Sequence, residues 1–396
     1  MPLSKLSHKL FSVALCNFNQ ARVKTLLDCV HGLIRGNELS LTSIGRHLPG
    51  KAKTKHKIKR VDRLLGNASV HDDLPALYRS ISRSLLKGLP NYVIAIDWSG
   101  CCRDDYQLLR ASLLYDGRSL PLLNKVVDKT YYNNNELHHQ FLSQLADIIG
   151  DDKPTYILTD GGFKTPWFQL VKGFGWEFIG RVRGRVYGKL DNQDWRSVQS
   201  LYEGAKTTPV YLGHGMLSKT QKSQCEVYFH LFKGKPKGRH KKRGHLLPLY
   251  ASTEKRCKSL ANEPWLIVTS DATLSSKKVV RLYSKRMQIE QNFRDDKNQR
   301  YGFSWRNSFT TDANRIGVLC LLAFIATAML WLIGIEAEKR KLHYSFQANS
   351  IKHRRVLSYL SLAKSMVVQM PTRLGERFIR NALSTFVKNY SKLSEI

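Results

Sequence analysis

An apolar run, Ile316 to Ile335, contains no charged residue over twenty positions. By length and hydropathy, such a run is a candidate membrane span. A helix that is apolar on all sides can also be the central helix of a large soluble core. Basic residues flank both ends, at Arg315 and Lys339, and leave no clear orientation signal. We therefore expect a buried helix packed on a sheet, with a membrane span as the alternative.

From residue 91 onward, short apolar runs alternate with helical segments in the order β-β-β-α-β-α-β. The first and fourth strands end in Asp97 and Asp160, and the turn signal Asp116-Gly117 separates the second from the third. A glycine at position 150 predicts the end of the first helix. The segments are YVIAIDW, YQLLRASLLY, SLPLLNKVVD, NELHHQFLSQLADIIG, TYILTD, FKTPWFQLVKGFG and WEFIGRVRG.

Residues 184–264 break this alternation and predict a β-rich insertion. Its candidate strands are PVYLG, CEVYFHLF and LLPLYAS, and the last two are joined by the basic linker KGKPKGRHKKRG. We interpret the linker as an exposed loop near a polyanion, or as a loop that only aids solubility. WLIVTS then predicts another strand.

A helix is predicted from Ser275 or Ser276 through Lys297. At about 100° per residue, Tyr283, Arg286, Glu290 and Lys297 share a face about 60° wide. Leu282, Ile289 and Phe293 form an apolar flank beside that face. One carboxylate, two cations and a phenol on one stripe suit the binding of phosphate. A solvated helix face with ion pairs is the alternative.

The net charge of the chain indicates what kind of molecule it binds. The chain has 64 Lys and Arg against 31 Asp and Glu, a formal net charge of +33 spread over its length. A long polyanion is the natural partner, and nucleic acid is the leading candidate. A basic membrane-surface or ribosomal protein is the alternative. Seven cysteines without a CxxC motif are typical of reduced thiols in a cytosolic chain, and the N-terminus lacks the long apolar core of a signal peptide.

Residues 1–90 predict mainly helices. A short helix capped by Thr42 or Ser43 precedes a basic helix. This order is typical of a helix-turn-helix DNA-binding motif, although the connector between the two helices is longer than usual. A solvated basic helix is the alternative. The candidate DNA-contacting residues of the second helix are Lys55, Lys57, Lys59, Arg60 and Arg63.

Three carboxylates stand out in a chain poor in acids: Asp97, Asp160 and Glu290. If they meet at a sheet edge, they would bind two Mg²⁺ ions, which prefer hard oxygen ligands. Two such ions suit phosphoryl displacement. An aspartate at a strand end is otherwise often a cap or turn residue.

The layout of two strand-end aspartates and a helical glutamate resembles that of RNase H-like nucleotidyl transferases. The tetrad Tyr283-x2-Arg286-x3-Glu290-x6-Lys297 resembles the YREK signature of the IS-four family of bacterial DDE transposases, which includes the Tn-ten and Tn-five enzymes. IAIDWSG and ILTDGGF resemble that family's first two acidic motifs. The resemblance covers essentially the whole chain and is more Tn-ten-like than Tn-five-like.

The resemblance implies roles for particular residues. The three acids would be the catalytic, metal-binding triad for two Mg²⁺ ions, which Mn²⁺ can replace. Tyr283, Arg286 and Lys297 would contact phosphates at the transposon end. Trp265 resembles the family tryptophan that stacks a flipped base, although a tryptophan at a strand start is otherwise a core anchor.

The implied reaction is cut-and-paste transposition: hydrolysis of one strand at each end, hairpin formation by the freed 3′-OH, hairpin opening and joining to target DNA. The implied partners are terminal repeats and target DNA, bound by a homodimer, in the bacterial cytoplasm at the nucleoid and without a membrane. An RNase H-like nuclease without strand transfer and a non-enzymatic DNA-binding protein are alternatives. The expected regions are a helical DNA-binding part (1–90), an RNase H-like core in two parts (91–183 and 265–335), the β-rich insertion (184–264) and a helical C-terminal region (336–396).

Overall fold

The structure, a computed structural model, describes residues 3–101, 105–234, 262–298, 302–348 and 350–393. Its contacts divide the chain into two compact units. The first unit contains the residues up to Thr155 and those from Met287 onward, and the second contains Tyr156–Arg286. Across the described ranges the fold is mixed α/β, with ten strands that are mostly antiparallel. This composition is compatible with the predicted RNase H-like core.

The first unit begins with five helices, in agreement with the mainly helical region predicted for residues 1–90. Asn19, Ser40 and Asn67 each accept a backbone N–H and so cap α2, α3 and α5. The predicted cap of α3 at Thr42 or Ser43 is wrong, because Ser40 Oγ accepts the Ser43 N–H at 3.2 Å. The helices are α1 (Leu3–Phe11), α2 (Gln20–Gly36), α3 (Leu41–Arg46), α4 (Thr54–Leu65) and α5 (Ala68–Leu86).

Three antiparallel strands follow, in the spatial order β3-β2-β1. They are β1 (Tyr92–Gly100), β2 (Tyr106–Leu114) and β3 (Ser119–Asp128). Gly117 has a φ of 71°, which allows the tight turn predicted between β2 and β3. The helix α6 (Asn135–Ile149) is capped by Asn134 and is followed by Gly150, also at φ 71°, so its predicted stop is confirmed.

The apolar run forms α10 (Ala313–Lys339), which is long and apolar enough to cross a membrane by length and composition only. Of its most apolar window, 94% is buried, against β3 and the helices α2 and α5 among others. Gly334 permits close contact, since a Cβ there would lie 2.5 Å from the backbone oxygen of Tyr359. The predicted buried helix is confirmed, and it does not indicate a membrane protein. Two further helices, α11 (Tyr359–Gln369) and α12 (Glu376–Leu393), pack on it.

The second unit carries the remaining strands, in the spatial order β4-β5-β10-β9-β8-β6-β7. β4 and β5 are parallel, and the other pairs are antiparallel. Sequence analysis missed the short strands β6 and β7. The elements are β4 (Thr155–Thr159), α7 (Thr165–Gly173), β5 (Glu177–Val182), β6 (Tyr187–Leu190), β7 (Arg196–Ser197), β8 (Val210–Leu217), β9 (Cys225–Phe232), β10 (Trp265–Thr269) and α8 (Ser276–Lys285).

β10 lies between β5 and β9, so the strands of the predicted insertion extend the sheet that contains β4 and β5. The region is therefore rich in β-strands, and these strands continue the sheet of β4 and β5. The predicted strand LLPLYAS and most of the basic linker lie outside the described residues.

The predicted continuous helix from Ser275 through Lys297 is wrong in one respect. Ser275 caps α8, which ends at Lys285, and a separate helix, α9 (Met287–Lys297), follows. The Arg286 N–H bonds to the Tyr283 carbonyl at 3.0 Å, an i to i−3 bond that tightens the chain at this point. A single helical wheel therefore does not relate Tyr283 and Arg286 to Glu290 and Lys297. Leu282, Ile289 and Phe293 are each buried, but they do not form one flank, because Leu282 belongs to α8 and the other two belong to α9.

Candidate functional site

Asp97 lies near the end of β1, directly after five buried residues. Its Oδ1 accepts the Trp98 N–H at 2.8 Å, and its carboxylate is half-buried. In the antiparallel register, Asp97 lies opposite Arg110 of β2. Residues directly opposite one another point to the same face of a sheet, so both side chains lie on one face. Ser99 lies on that face too, because side chains alternate along a strand.

The helix α9 is held on this face by polar contacts along its length. Gln288 bonds in both directions with the backbone of Tyr115, accepting its N–H at 3.0 Å and donating to its carbonyl at 2.9 Å. Near the other end, Lys297 Nζ donates to Ser99 Oγ at 2.8 Å. Tyr115 lies beside the start of β1, since Leu113 pairs with Ile94, and Ser99 lies near the end of β1. The helix α9 therefore runs in the same direction as β1.

Arg110 makes the central contact between α9 and the sheet. Its Nη1 lies 2.6 Å from Asp296 Oδ2 and also donates to Asn292, while its Nε donates to Asn124 of β3 at 2.7 Å. The guanidinium lies 4.8 Å from the centre of the Phe293 ring. Sequence analysis missed Arg110, since its partners are distant in sequence and only the fold brings them together.

Glu290 is half-buried on α9, seven residues before Lys297. Seven residues at about 100° each place the two side chains about 20° apart around the helix. Lys297 contacts Ser99 of β1, two residues after Asp97. This contact joins the helix that carries Glu290 to the strand that carries Asp97.

The pKa of Lys297 is lowered at this interface, although Cys101 and Asp296 oppose the shift. Burial lowers the pKa of Lys297, and the positive charges of Arg306 and Arg110 lower it further. A lysine with a lowered pKa in a cationic setting gains most from an added anion, since the anion offsets both effects. The setting of Lys297 therefore suits contact with a phosphate.

Asp160 directly follows β4, in the second unit. Its Oδ1 accepts the Gly162 N–H at 2.8 Å, which closes a tight turn after the strand. A Cβ on Gly161 would lie 2.5 Å from Cδ of Arg183, so a larger residue there would require the Arg183 side chain to move. The local sequence thus fixes the carboxylate at the strand end, as the sequence predicts.

Trp265, Tyr283 and Arg286 form a compact group in the same unit. The rings of Trp265 and Tyr283 meet edge to face, 5.2 Å between centres, and Arg286 Cζ lies 5.9 Å from the Tyr283 ring. Tyr283 and Arg286 are buried, whereas Trp265 is half-exposed. Burial raises the pKa of Tyr283, Arg286 and Arg181 oppose that rise, and Asp160 adds to it. These effects place Asp160 and Arg181 in the neighbourhood of the group.

Arg181 of β5 is a second residue that sequence analysis missed. Its Nη2 donates to Glu263 Oε2 at 2.8 Å and to the Pro264 carbonyl at 3.2 Å. These bonds fix the chain just before Trp265, and they limit the positions its ring can take. The pairing of β5 with β10 brings Arg181 close to Glu263 and Pro264. The sequence near Arg181 therefore carries no local signal for its role.

The basic residues of α4 differ in their surroundings. Lys55, Lys59 and Arg63 are exposed. Arg60 Nη2 bonds to Asp28 of α2 at 2.6 Å, and Lys57 Nζ donates to the Leu48 carbonyl at 2.8 Å. The exposed residues are thus the ones available to a ligand, while Arg60 and Lys57 also tie α4 to its neighbours.

Asp97, Asp160 and Glu290 offer hard oxygen ligands of the kind that divalent ions prefer. Within the described residues, no group of three or more His, Cys, Asp or Glu side chains is arranged so that it could hold a metal ion. The three carboxylates are thus of the chemical type that binds a divalent ion. In the described part of the chain they are not already grouped as a metal site.

The sequence pattern of the family described as "Transposase DDE domain" matches residues 90–328, which is more than half of the chain. The match includes Asp97, Asp160 and Glu290. No curated protein matches the chain. Enzymes of this family are nucleotidyl transferases and endonucleases that act on DNA in the movement of insertion sequences, and they generally use divalent metal ions. The chain therefore belongs to the Transposase DDE domain family and is a DDE transposase.

Proposed function

We propose that this transposase moves an insertion sequence by cut-and-paste transposition, as the IS-four family resemblance implies. The observation that carries the proposal is the contact between α9, which bears Glu290, and β1, which bears Asp97; Lys297 Nζ and Ser99 Oγ make it within the matched region. A carboxylate from the sheet, a carboxylate from the helix and a lysine suited to a phosphate are the parts that strand cleavage requires.

In this proposal Asp97, Asp160 and Glu290 hold Mg²⁺, two ions per site. Bound Mg²⁺ would stabilise the negative charge that develops on phosphate oxygens during cleavage. The protein contributes the positions of the carboxylates, which Arg110, Gln288 and the turn at Gly162 support. Mn²⁺ is proposed to substitute, since it also accepts oxygen ligands.

Tyr283, Arg286 and Lys297 are proposed to contact backbone phosphates at the transposon end. Arginine suits this task through its planar array of donors, and lysine through its concentrated charge. The chain's net charge of +33 supports binding to long stretches of DNA, including the target. A homodimer that pairs two ends is part of the same proposal, and so is action in the bacterial cytoplasm at the nucleoid.

Trp265 is proposed to stack on a DNA base that flips out of the double helix when the hairpin forms. The half-exposed ring, fixed on one side by Tyr283 and Phe232, supports this role. A stacked base is worth about 1 to 3 kcal/mol.

The proposal is tested by incubating the purified protein with end DNA and Mg²⁺ and resolving the products on a denaturing gel. We expect nicked strands first, then hairpins, then joined products when target DNA is added. Nicks without hairpins or joined products would instead identify a nuclease. Binding without any cleavage in Mg²⁺ or Mn²⁺ would reject the proposed chemistry.

A further inference from the structure

A cavity of about 500 Å³ lies beside the C-terminal end of α10 and the start of α12, within the first unit. Four of its lining side chains are cationic and one is a carboxylate, Glu336. The cations are Lys339, Arg340, Arg373 and Arg377. The lining therefore carries a surplus of three positive charges (four minus one).

The carboxylate is already satisfied by the protein. Glu336 is 1% exposed, its Oε1 accepts a bond from Arg340 Nε at 2.7 Å, and its Oε2 accepts one from Thr385 Oγ1 at 3.2 Å. Glu336 thus offsets the charge of Arg340 and orients it, and the guanidinium also lies 4.7 Å from the Phe378 ring centre. The surplus positive charge belongs to Lys339, Arg373 and Arg377.

The acids nearest in sequence are also occupied. Glu376 binds Lys9 and Arg380, and Glu338 binds Arg355 at 3.0 Å. Arg373 and Arg377 are exposed, and their side chains make no ion pair within the described ranges of the chain. Two arginines thus border an open cavity without a carboxylate partner among those residues.

We propose that this cavity binds the phosphodiester backbone of DNA, at a contact separate from the acidic residues of β1 and α9. Guanidinium groups match phosphate oxygens in geometry and charge. The cavity is larger than a single phosphate group requires, so it fits a short stretch of backbone. The proposal rests on DNA binding by this family, and it does not depend on the hairpin mechanism.

The test compares two double variants that each remove two positive charges. Arg373→Ala/Arg377→Ala alters the cavity, whereas Arg380→Ala/Lys388→Ala removes exposed charges of α12 that do not line it. Affinity for duplex DNA of unrelated sequence is measured at several salt concentrations, and a melting curve checks folding. Each phosphate contact contributes about 0.9 to the slope of log affinity against log salt.

We expect the cavity variant to lose about 1 to 2 units of slope and about tenfold or more in affinity, with a much smaller change in the control. Arg373→Lys/Arg377→Lys should retain most of the slope, because the charges remain. Equal losses in the two double variants would overturn the proposal, since net charge alone would then explain them. It would also be overturned if inorganic phosphate stabilised the wild type but not the cavity variant while DNA binding stayed equal. Failure of strand cleavage in the wild type would leave this binding result unaffected.

Discussion

Arg110 and Asp296 form a buried ion pair, with Arg110 Nη1 2.6 Å from Asp296 Oδ2 and both side chains at most 5% exposed. Arg110 lies on β2 opposite Asp97, and Asp296 lies on α9, six residues after Glu290. The pair thus joins the strand layer that carries one proposed catalytic acid to the helix that carries another. The ion pair holds α9 in position on the sheet, and neither of its residues is proposed to touch DNA.

Replacing Arg110 by methionine should destabilise the protein strongly, because Asp296 would remain as a buried charge without its main partner. The expected loss in the free energy of unfolding is about 3 to 5 kcal/mol. Arg110→Met/Asp296→Leu should recover most of that loss, since an apolar pair can replace a buried ion pair at little cost. Denaturant unfolding measures both.

The matched control is Arg118→Met, which breaks the more exposed pair with Asp295 on the same helix. Arg118 is about a third exposed, so solvent screens this pair more, and its loss should cost less stability than the loss of Arg110. If Arg110→Met and the double variant lost equal stability, an unpaired Asp296 charge would not be the cause of the loss, which would contradict the prediction.

Trp265→Ala should slow hairpin formation more than first-strand nicking, because the ring would no longer hold the unstacked base. Trp167, fully buried in the same unit, is the control, and its replacement by alanine should cost about 3 to 5 kcal/mol and depress every step through instability. The two rates are measured separately on end DNA, beside a melting curve. Equal loss of both steps with a large drop in Tm would identify Trp265 as a core anchor.

Stability should fall as the solution becomes acidic, in part through His138. Burial lowers the pKa of His138 from 6.5 to about 4, so below pH 6.5 the unfolded chain binds a proton that the folded chain does not. The free energy of unfolding contributed by this group is present above pH 6.5 and is lost as the pH falls toward 4. His138→Gln should flatten this part of the stability profile. His139→Gln, at the exposed neighbouring position, is the matched control.

The basic helix α4 should separate into residues that bind DNA and residues that stabilise the fold. Lys59→Ala/Arg63→Ala should lower DNA affinity and reduce the salt slope by about 0.9 for each lost phosphate contact, without changing Tm. Arg60→Ala should instead lower stability by about 1 to 3 kcal/mol, because the buried carboxylate of Asp28 loses its bond to the Arg60 guanidinium. A salt slope unchanged in the first variant would show that this face does not contact DNA.

Sequence patterns predict the regular elements well where local chemistry decides them. The strands ending near Asp97 and Asp160 follow from short apolar runs, and α6 follows from its periodicity and from Gly150. The buried helix α10 is predicted from a twenty-residue run without charge that basic residues flank at both ends. In each case the deciding residues are close together along the chain.

The features that sequence patterns miss depend on contacts between distant segments. The break at Arg286 has no glycine or proline to mark it, and periodicity continues through it. Arg110 and Arg181 are read as ordinary strand residues until their partners Asp296 and Glu263 are known. The grouping of Asp160, Trp265 and Tyr283 likewise depends on sheet topology, which spacing alone does not reveal.

The most direct test of the account is cleavage by variants of the three acids, with end binding measured on the same samples. Asp97→Asn, Asp160→Asn and Glu290→Gln should each lower single-turnover cleavage in Mg²⁺ by about 10³-fold or more, since each removes a proposed metal ligand. End binding should persist, because affinity comes mostly from lysine and arginine contacts with phosphate. Glu136→Gln, which alters an exposed acid of α6, is the control and should cleave normally. Near wild-type cleavage by any one of the three variants would contradict the assignment of the catalytic acids.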